Sequence, residues 1–160
     1  MERVWKMNLL RNRWLRVAAV LGVVSVLLGA CNREQATTVN ISLKEWAVSP
    51  SASSVPAGTV TFAIRNDGAE THEFVVIRTN LGLLDLPVGD DGSVSEEGDG
   101  IEVIDEVEDL AAGKSETLEV ELSAGDYVLI CNIVEEMEME GGMQHGSHYQ
   151  MGMRTSFKVP

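Results

Sequence analysis

Val39, Ile41 and Leu43 alternate with Asn40, Ser42 and Lys44, and this period of two, repeated along the chain, narrows the fold more than any other pattern in it. Side chains on a strand point to opposite faces in turn, whereas neighbours on a helix recur every 3.6 residues. The alternation returns in residues 59–65, TVTFAIR, and further strand candidates follow at 72–78, 101–107, 116–122, 127–131 and 153–159. Val55-Pro56-Ala57-Gly58 and Asn66-Asp67-Gly68 are turn signals between such runs. No helical period persists over three turns. Many short strands separated by regular turns predict an all-β Greek-key sandwich.

The chain begins differently. Arg3, Lys6, Arg11, Arg13 and Arg16 stand against the single acid Glu2, and an apolar run from Val17 to Leu28 follows. That run is short for a bilayer span and has the basic, apolar, small-residue order of an export signal. It ends in Leu28-Gly29-Ala30-Cys31, which looks like the lipobox of bacterial lipoproteins. Residues 1–30 are therefore expected to be a cleaved signal, Cys31 the acylated first residue of the mature protein, and 31–38 a short polar tether. Acylation would anchor the chain to a membrane without a spanning helix. The 39–160 remainder has the size of one domain.

Of the 12 Lys and Arg, five lie in the first sixteen residues, so seven remain against 24 of the 25 acids and the mature charge is about −17. Nucleic acid and anionic lipid surfaces are excluded as partners on that balance. The acids concentrate in the segment 85–109, and no Lys or Arg occurs from Leu81 to Gly113. A solvated loop with a strand inside it is the plain reading, and a docking face for a basic partner is the sharper one.

The chemistry concentrates near the C-terminus. Residues 131–153, CNIVEEMEMEGGMQHGSHYQMGM, hold one of the two Cys, two of the three His and five of the seven Met. Cys131 ends the apolar run YVLIC, in which Tyr127, Leu129 and Cys131 share one face and Val128 and Ile130 the other. Alone, such a thiol is more often a buried small hydrophobe than a ligand. With Cys31 acylated, however, it has no thiol to pair with outside the cytoplasm. His148 stands five residues before Met153, and Gly152 between them permits a tight turn. A thiolate, two imidazoles and a distant thioether form the ligand set of a blue copper centre. His72, just after a turn and at the start of a strand, would supply the second imidazole.

Four stretches, VPAGTVTFAIRNDG, THEFVV, AGDYVLIC and HYQMGMRTSFKV, together resemble the cupredoxins, the family of plastocyanin, pseudoazurin and sulfocyanin-like small copper proteins. The resemblance implies a Greek-key sandwich, one type 1-like copper ion held by His72, Cys131, His148 and Met153, and one-electron transfer rather than catalysis. It implies a redox partner such as a cytochrome or another copper protein, a monomeric state, and a place on the outer or periplasmic side of the membrane. His148 is expected to be the ligand nearest the surface. Two features depart from the family. Sixteen residues separate Cys131 from His148, so 132–147 reads as an insertion in the ligand loop. Glu73 follows His72 where plastocyanin and azurin carry Asn.

Other residues compete for the same roles. His145 could replace His148, although Gln150 stands where its methionine would be, and Met151 could replace Met153. Met137, Met139 and Met143 with His145 could hold a second ion, Cu(I), at 137–145, in which case the chain would store, sense or deliver copper(I). Alternatively they form an adaptable apolar cover on an exposed loop. A small copper enzyme would need Glu73 or Glu135 in place of the axial methionine and an open position on the metal.

Overall fold

The computed structural model describes residues 36–139 and 142–160. The expected signal 1–30, Cys31 and most of the expected tether lie outside the described residues. Ten strands and one short helix run in the order β1 (Thr37–Lys44), β2 (Ala47–Pro50), β3 (Gly58–Asn66), β4 (His72–Arg78), β5 (Glu102–Leu110), β6 (Ser115–Leu122), β7 (Gly125–Ile130), β8 (Val134–Met139), β9 (Gly142–Ser147), α1 (His148–Met151) and β10 (Arg154–Val159). The first strand starts at Thr37, inside the expected tether.

Two four-stranded sheets form, in the orders β2-β1-β3-β6 and β10-β7-β4-β5. The strands β1 and β3 run parallel, so they cannot be joined by a hairpin. The chain crosses between the sheets from β3 to β4, from β5 to β6 and from β6 to β7, which gives the all-β Greek-key sandwich that the alternation predicts. Strand alternation sends Val39, Ile41 and Leu43 from β1, Val60, Phe62 and Ile64 from β3, and Leu118, Val120 and Leu122 from β6 into one core. They meet Phe74, Val76, Tyr127, Leu129 and Phe157 from the second sheet. Phe62 lies at the centre, edge-to-face with Phe74 at 5.2 Å and with Phe157 at 5.7 Å.

The second sheet is buried on its other face too. Val75, Ile77, Val128 and Ile130 pack there against Leu86, Val94 and Tyr149. The acidic segment is therefore more than a solvated loop: its sparse apolar residues cover a sheet face while its acids stay outside. The insertion 132–147 is a two-stranded ribbon, β8 paired antiparallel with β9, Met137 opposite Gln144 and Glu138 opposite Met143. Among the described residues this ribbon joins neither large sheet.

Candidate metal centre

The histidine of the first half is positioned by a turn. Asn66, fully buried at the end of β3, donates from Nδ2 to the carbonyls of Glu70 and Leu110, each at 2.7 Å, and accepts the Gly68 N–H at 2.9 Å. Glu45 Oε1 accepts the N–H groups of Ala69 and Glu70 at 2.6 and 2.9 Å. The turn delivers His72 as the first residue of β4, and the pairing of β4 with β5 shifts register between His72 and Phe74, a place where bulges commonly re-aim a side chain.

The other donors come from the return of the chain. Cys131 follows β7, with its side chain in the main core. Its N–H donates to Met153 O at 3.0 Å, and Met153 N–H donates to His148 O at 2.9 Å. His148 N–H donates to Ile133 O, and Ser147 caps the single turn of α1 through the Gln150 N–H. Gly152 closes the loop at φ +126°, and a Cβ added there would stand 3.0 Å from the Trp46 carbonyl, so the residue is glycine for both backbone and space.

Three donor atoms converge as a result. His148 Nδ1 lies 3.3 Å from His72 Nδ1 and 3.3 Å from Cys131 Sγ, and His72 Nδ1 lies 4.0 Å from the same sulfur. All three residues are fully buried. Metal–nitrogen and metal–sulfur bonds of roughly 2.0–2.3 Å span such separations around one ion, and one thiolate with two imidazoles suits copper. Desolvation holds both imidazoles below their usual pKa, for His72 with help from His148, so their ring nitrogens stay neutral and available near pH 7. Burial pushes the Cys131 thiol up to about 11. An ion bound there must displace its proton.

Met153 is fully buried in the same core cluster as Cys131, whereas Met151, at the end of α1, is half-buried. The backbone of β9 sets His145 opposite Glu136; the side chains of 137–145 lie outside the description. Glu73 keeps two bonds at the thiol in place of the family's asparagine. Its N–H donates to Cys131 Sγ at 3.3 Å, and its Oε1 accepts the Asn132 N–H at 2.6 Å. The His148 ring is fully buried, as are His72, Cys131 and Met153, edge-on to Trp46 with centroids 5.0 Å apart and with the partly exposed Glu70 and Glu135 over Nε2. The ribbon that the insertion forms brings Glu135 there. Trp46, Glu45 and Glu70 were not legible as neighbours of the donors; the nearest signal is that Glu70 stands two residues before His72.

A Greek-key sandwich that buries two imidazole nitrogens and a cysteine sulfur together at one end has the plan of a small copper protein. The family model described as Cupredoxin-like domain matches residues 17–143, and the chain belongs to the cupredoxin family, whose metal is copper. The matched span stops short of His148 and Met153. Among solved structures, the chain is similar to dithionite-reduced auracyanin from the photosynthetic bacterium Roseiflexus castenholzii, at 22% identity over 78% of this chain and 98% of that one, with a TM-score of 0.52. It is similar also to auracyanin A, described as a "blue" copper protein, from the green thermophilic photosynthetic bacterium Chloroflexus aurantiacus, at 20% identity over 79% of this chain and 100% of that one, with a TM-score of 0.50. These two likenesses show the fold. No curated protein matches the chain.

Proposed function

We propose that this protein is a one-electron carrier whose copper ion would be held by His72 Nδ1, His148 Nδ1 and Cys131 Sγ, with the Met153 thioether as a weaker fourth donor. The convergence of those three buried donor atoms within 4.0 Å of one another carries the reading. Copper in such a site supplies the Cu(I)/Cu(II) couple. The chain's own part is to hold the donors still. Cys131, Met153 and His148 are linked in series by backbone hydrogen bonds, and His72 is fixed by the Asn66 turn. Donors that cannot rearrange keep one geometry for both oxidation states, so little reorganisation opposes electron movement. The Glu73 N–H directed at the sulfur favours its thiolate form. No open position for a substrate is required, and the protein acts as a carrier, not as an enzyme.

Residues 1–30 are read as the export signal and Cys31 as the lipidated anchor of the 39–160 domain, on the strength of the basic, apolar, Leu-Gly-Ala-Cys order. The domain would work as a monomer outside the cytoplasmic membrane, exchanging electrons with a basic redox protein such as a cytochrome or another copper protein. Labelling cells with a fatty-acid analogue tests the anchor: label should appear on the protein and vanish in Cys31→Ala.

Titration of the purified protein with Cu(II) tests the centre. One equivalent should produce an intense visible thiolate band, abolished by Cys131→Ser and altered by His72→Ala. Full-strength colour in either variant would overturn the assignment. His145→Ala and Met151→Leu should keep the band, whereas Met153→Leu should shift the reduction potential.

A further inference from the structure

The outer nitrogens of the two imidazoles are placed differently. His72 Nε2 faces one carboxylate oxygen, Oε1 of Glu45 at 3.5 Å, and that oxygen already accepts two backbone N–H groups. His148 Nε2 faces two, Oε1 of Glu135 at 3.7 Å and Oε2 of Glu70 at 4.0 Å. His72 Nε2, His148 Nε2 and Glu70 Oε2 are buried with no hydrogen-bond partner. A buried polar atom left unmatched costs on the order of 1–3 kcal/mol. At His72 a single ring proton can serve the pair. At His148 two carboxylates converge on the nitrogen, Glu70 Oε2 buried without a partner and Glu135 Oε1 at 3.7 Å, and one N–H can donate to only one of them. A cation would satisfy the nitrogen and both oxygens at once.

We propose that His148 Nε2, Glu70 and Glu135 form an outer divalent-cation site, of the class zinc occupies, on the opposite side of the imidazole from Cys131. The three donor atoms lie within 4.8 Å of one another. Bonds of roughly 2.0–2.2 Å to a tetrahedral ion put donors about 3.4 Å apart, so the two carboxylates must close on the imidazole by several tenths of an ångström and on each other by up to about 1 Å. The Glu70 and Glu135 side chains are 41% and 38% exposed, so they can move and the ion can enter from solvent. The imidazole end is fully buried and fixed. One nitrogen and two carboxylates, with no sulfur, select Zn²⁺ or Cu²⁺ over Cu⁺, and they leave a fourth position for water. The ligands come from the β3–β4 turn, from β8 and from the first residue of α1, so an ion there also ties the inserted ribbon to the sandwich.

In the copper-loaded form this site rests on the copper assignment above. With Nδ1 engaged, the ring proton sits on Nε2. An ion held by Nε2 and the two carboxylates would replace that N–H, and the proton would leave to solvent without any change of oxidation state.

The test is to titrate Zn²⁺ into purified protein already carrying one equivalent of Cu(II), following heat and visible spectrum together. One further equivalent should bind while the thiolate band persists, with about one proton released, read from the dependence of the heat on the buffer's ionisation enthalpy. In Glu70→Gln/Glu135→Gln the copper band should form as before, which shows the fold is kept, and zinc affinity should fall at least tenfold. Absence of a second equivalent, stoichiometric bleaching as zinc displaces copper, or equal affinity in the double variant would each overturn the outer site. If copper gives no thiolate band, that failure is seen before zinc is added and falls on the copper assignment. Zinc is then titrated into Cys131→Ser with and without the two glutamine changes, and unchanged binding with them present sinks the outer site.

Discussion

Glu73 braces the thiol from two sides, with its N–H on Cys131 Sγ and its carboxylate on the N–H of the next residue, Asn132. Burial first, and then the charges of Glu96, Glu106 and Glu108, raise its pKa to about 7. A carboxyl whose folded pKa lies above its unfolded value contributes stability that is fully present below the ordinary range near 4.5 and is lost as pH rises through about 7. Metal-free protein should therefore weaken from about pH 5 to about pH 8. Glu73→Gln, which is uncharged throughout and can still accept from Asn132 through its amide oxygen, should be more stable than the natural chain at the higher pH and near it at the lower. Urea unfolding at both values checks this, and an equal gap at the two would remove Glu73 as the source. Gly152 makes a second case. Its φ of +126° and the Trp46 carbonyl 3.0 Å from a built Cβ predict that Gly152→Ala lowers stability by about 1–3 kcal/mol, measurable by thermal unfolding of the metal-free protein.

Elements were legible to the extent that burial was one-sided or continuous. Tyr127, Leu129 and Cys131 were assigned one face of β7 from the sequence, and they pack in the main core while Val128 and Ile130 pack behind the sheet. Residues 72–78 coincide with β4 because both of its faces are apolar. Strand β2, Ala47–Pro50, escaped because four residues carry too little alternation. The inserted ribbon escaped because VEEMEM and GMQHGS contain one β-branched residue between them, and the second opens on a glycine. Of the carboxylates over the imidazoles, Glu45 escaped for another reason, since it reaches the site only through long-range folding, whereas Glu135, singled out in the sequence as a stand-in for the axial methionine, stands instead over His148 Nε2. The ribbon pairs only with itself among the described strands, which makes it separable. Replacing residues 136–145 by Asn-Gly, a sequence suited to a two-residue hairpin turn, should leave the thiolate band and the thermal midpoint nearly in place. Unfolding of the shortened chain would show instead that the ribbon belongs to the core.

At the scale of the whole molecule the charge is the property that reaches furthest. Seven cations against 24 acids beyond residue 30 produce a field that attracts cationic partners and repels anionic ones, screened over about 10 Å at 0.1 M salt. Electron transfer to a cationic small complex should slow as salt rises, by about tenfold or more between low and physiological ionic strength. Transfer to an anionic complex should quicken. Net charge and local charge can be separated by position. Glu106 and Glu108 lie on β5 close enough to Glu73 to raise its pKa, and Glu96 accepts from the Asn132 side chain at 3.0 Å, so these acids stand at the metal end. Glu119 and Glu121 project from β6 opposite Thr61 and Thr59, toward the far end of the sandwich. Glu106→Gln/Glu108→Gln and Glu119→Gln/Glu121→Gln remove the same charge. If steering acts where the electron crosses, the first pair must flatten the salt dependence with a cationic protein partner clearly more than the second. Equal flattening would mean that only the total charge matters, and the acidic segment would then have no directing role beyond covering the outer face of its sheet.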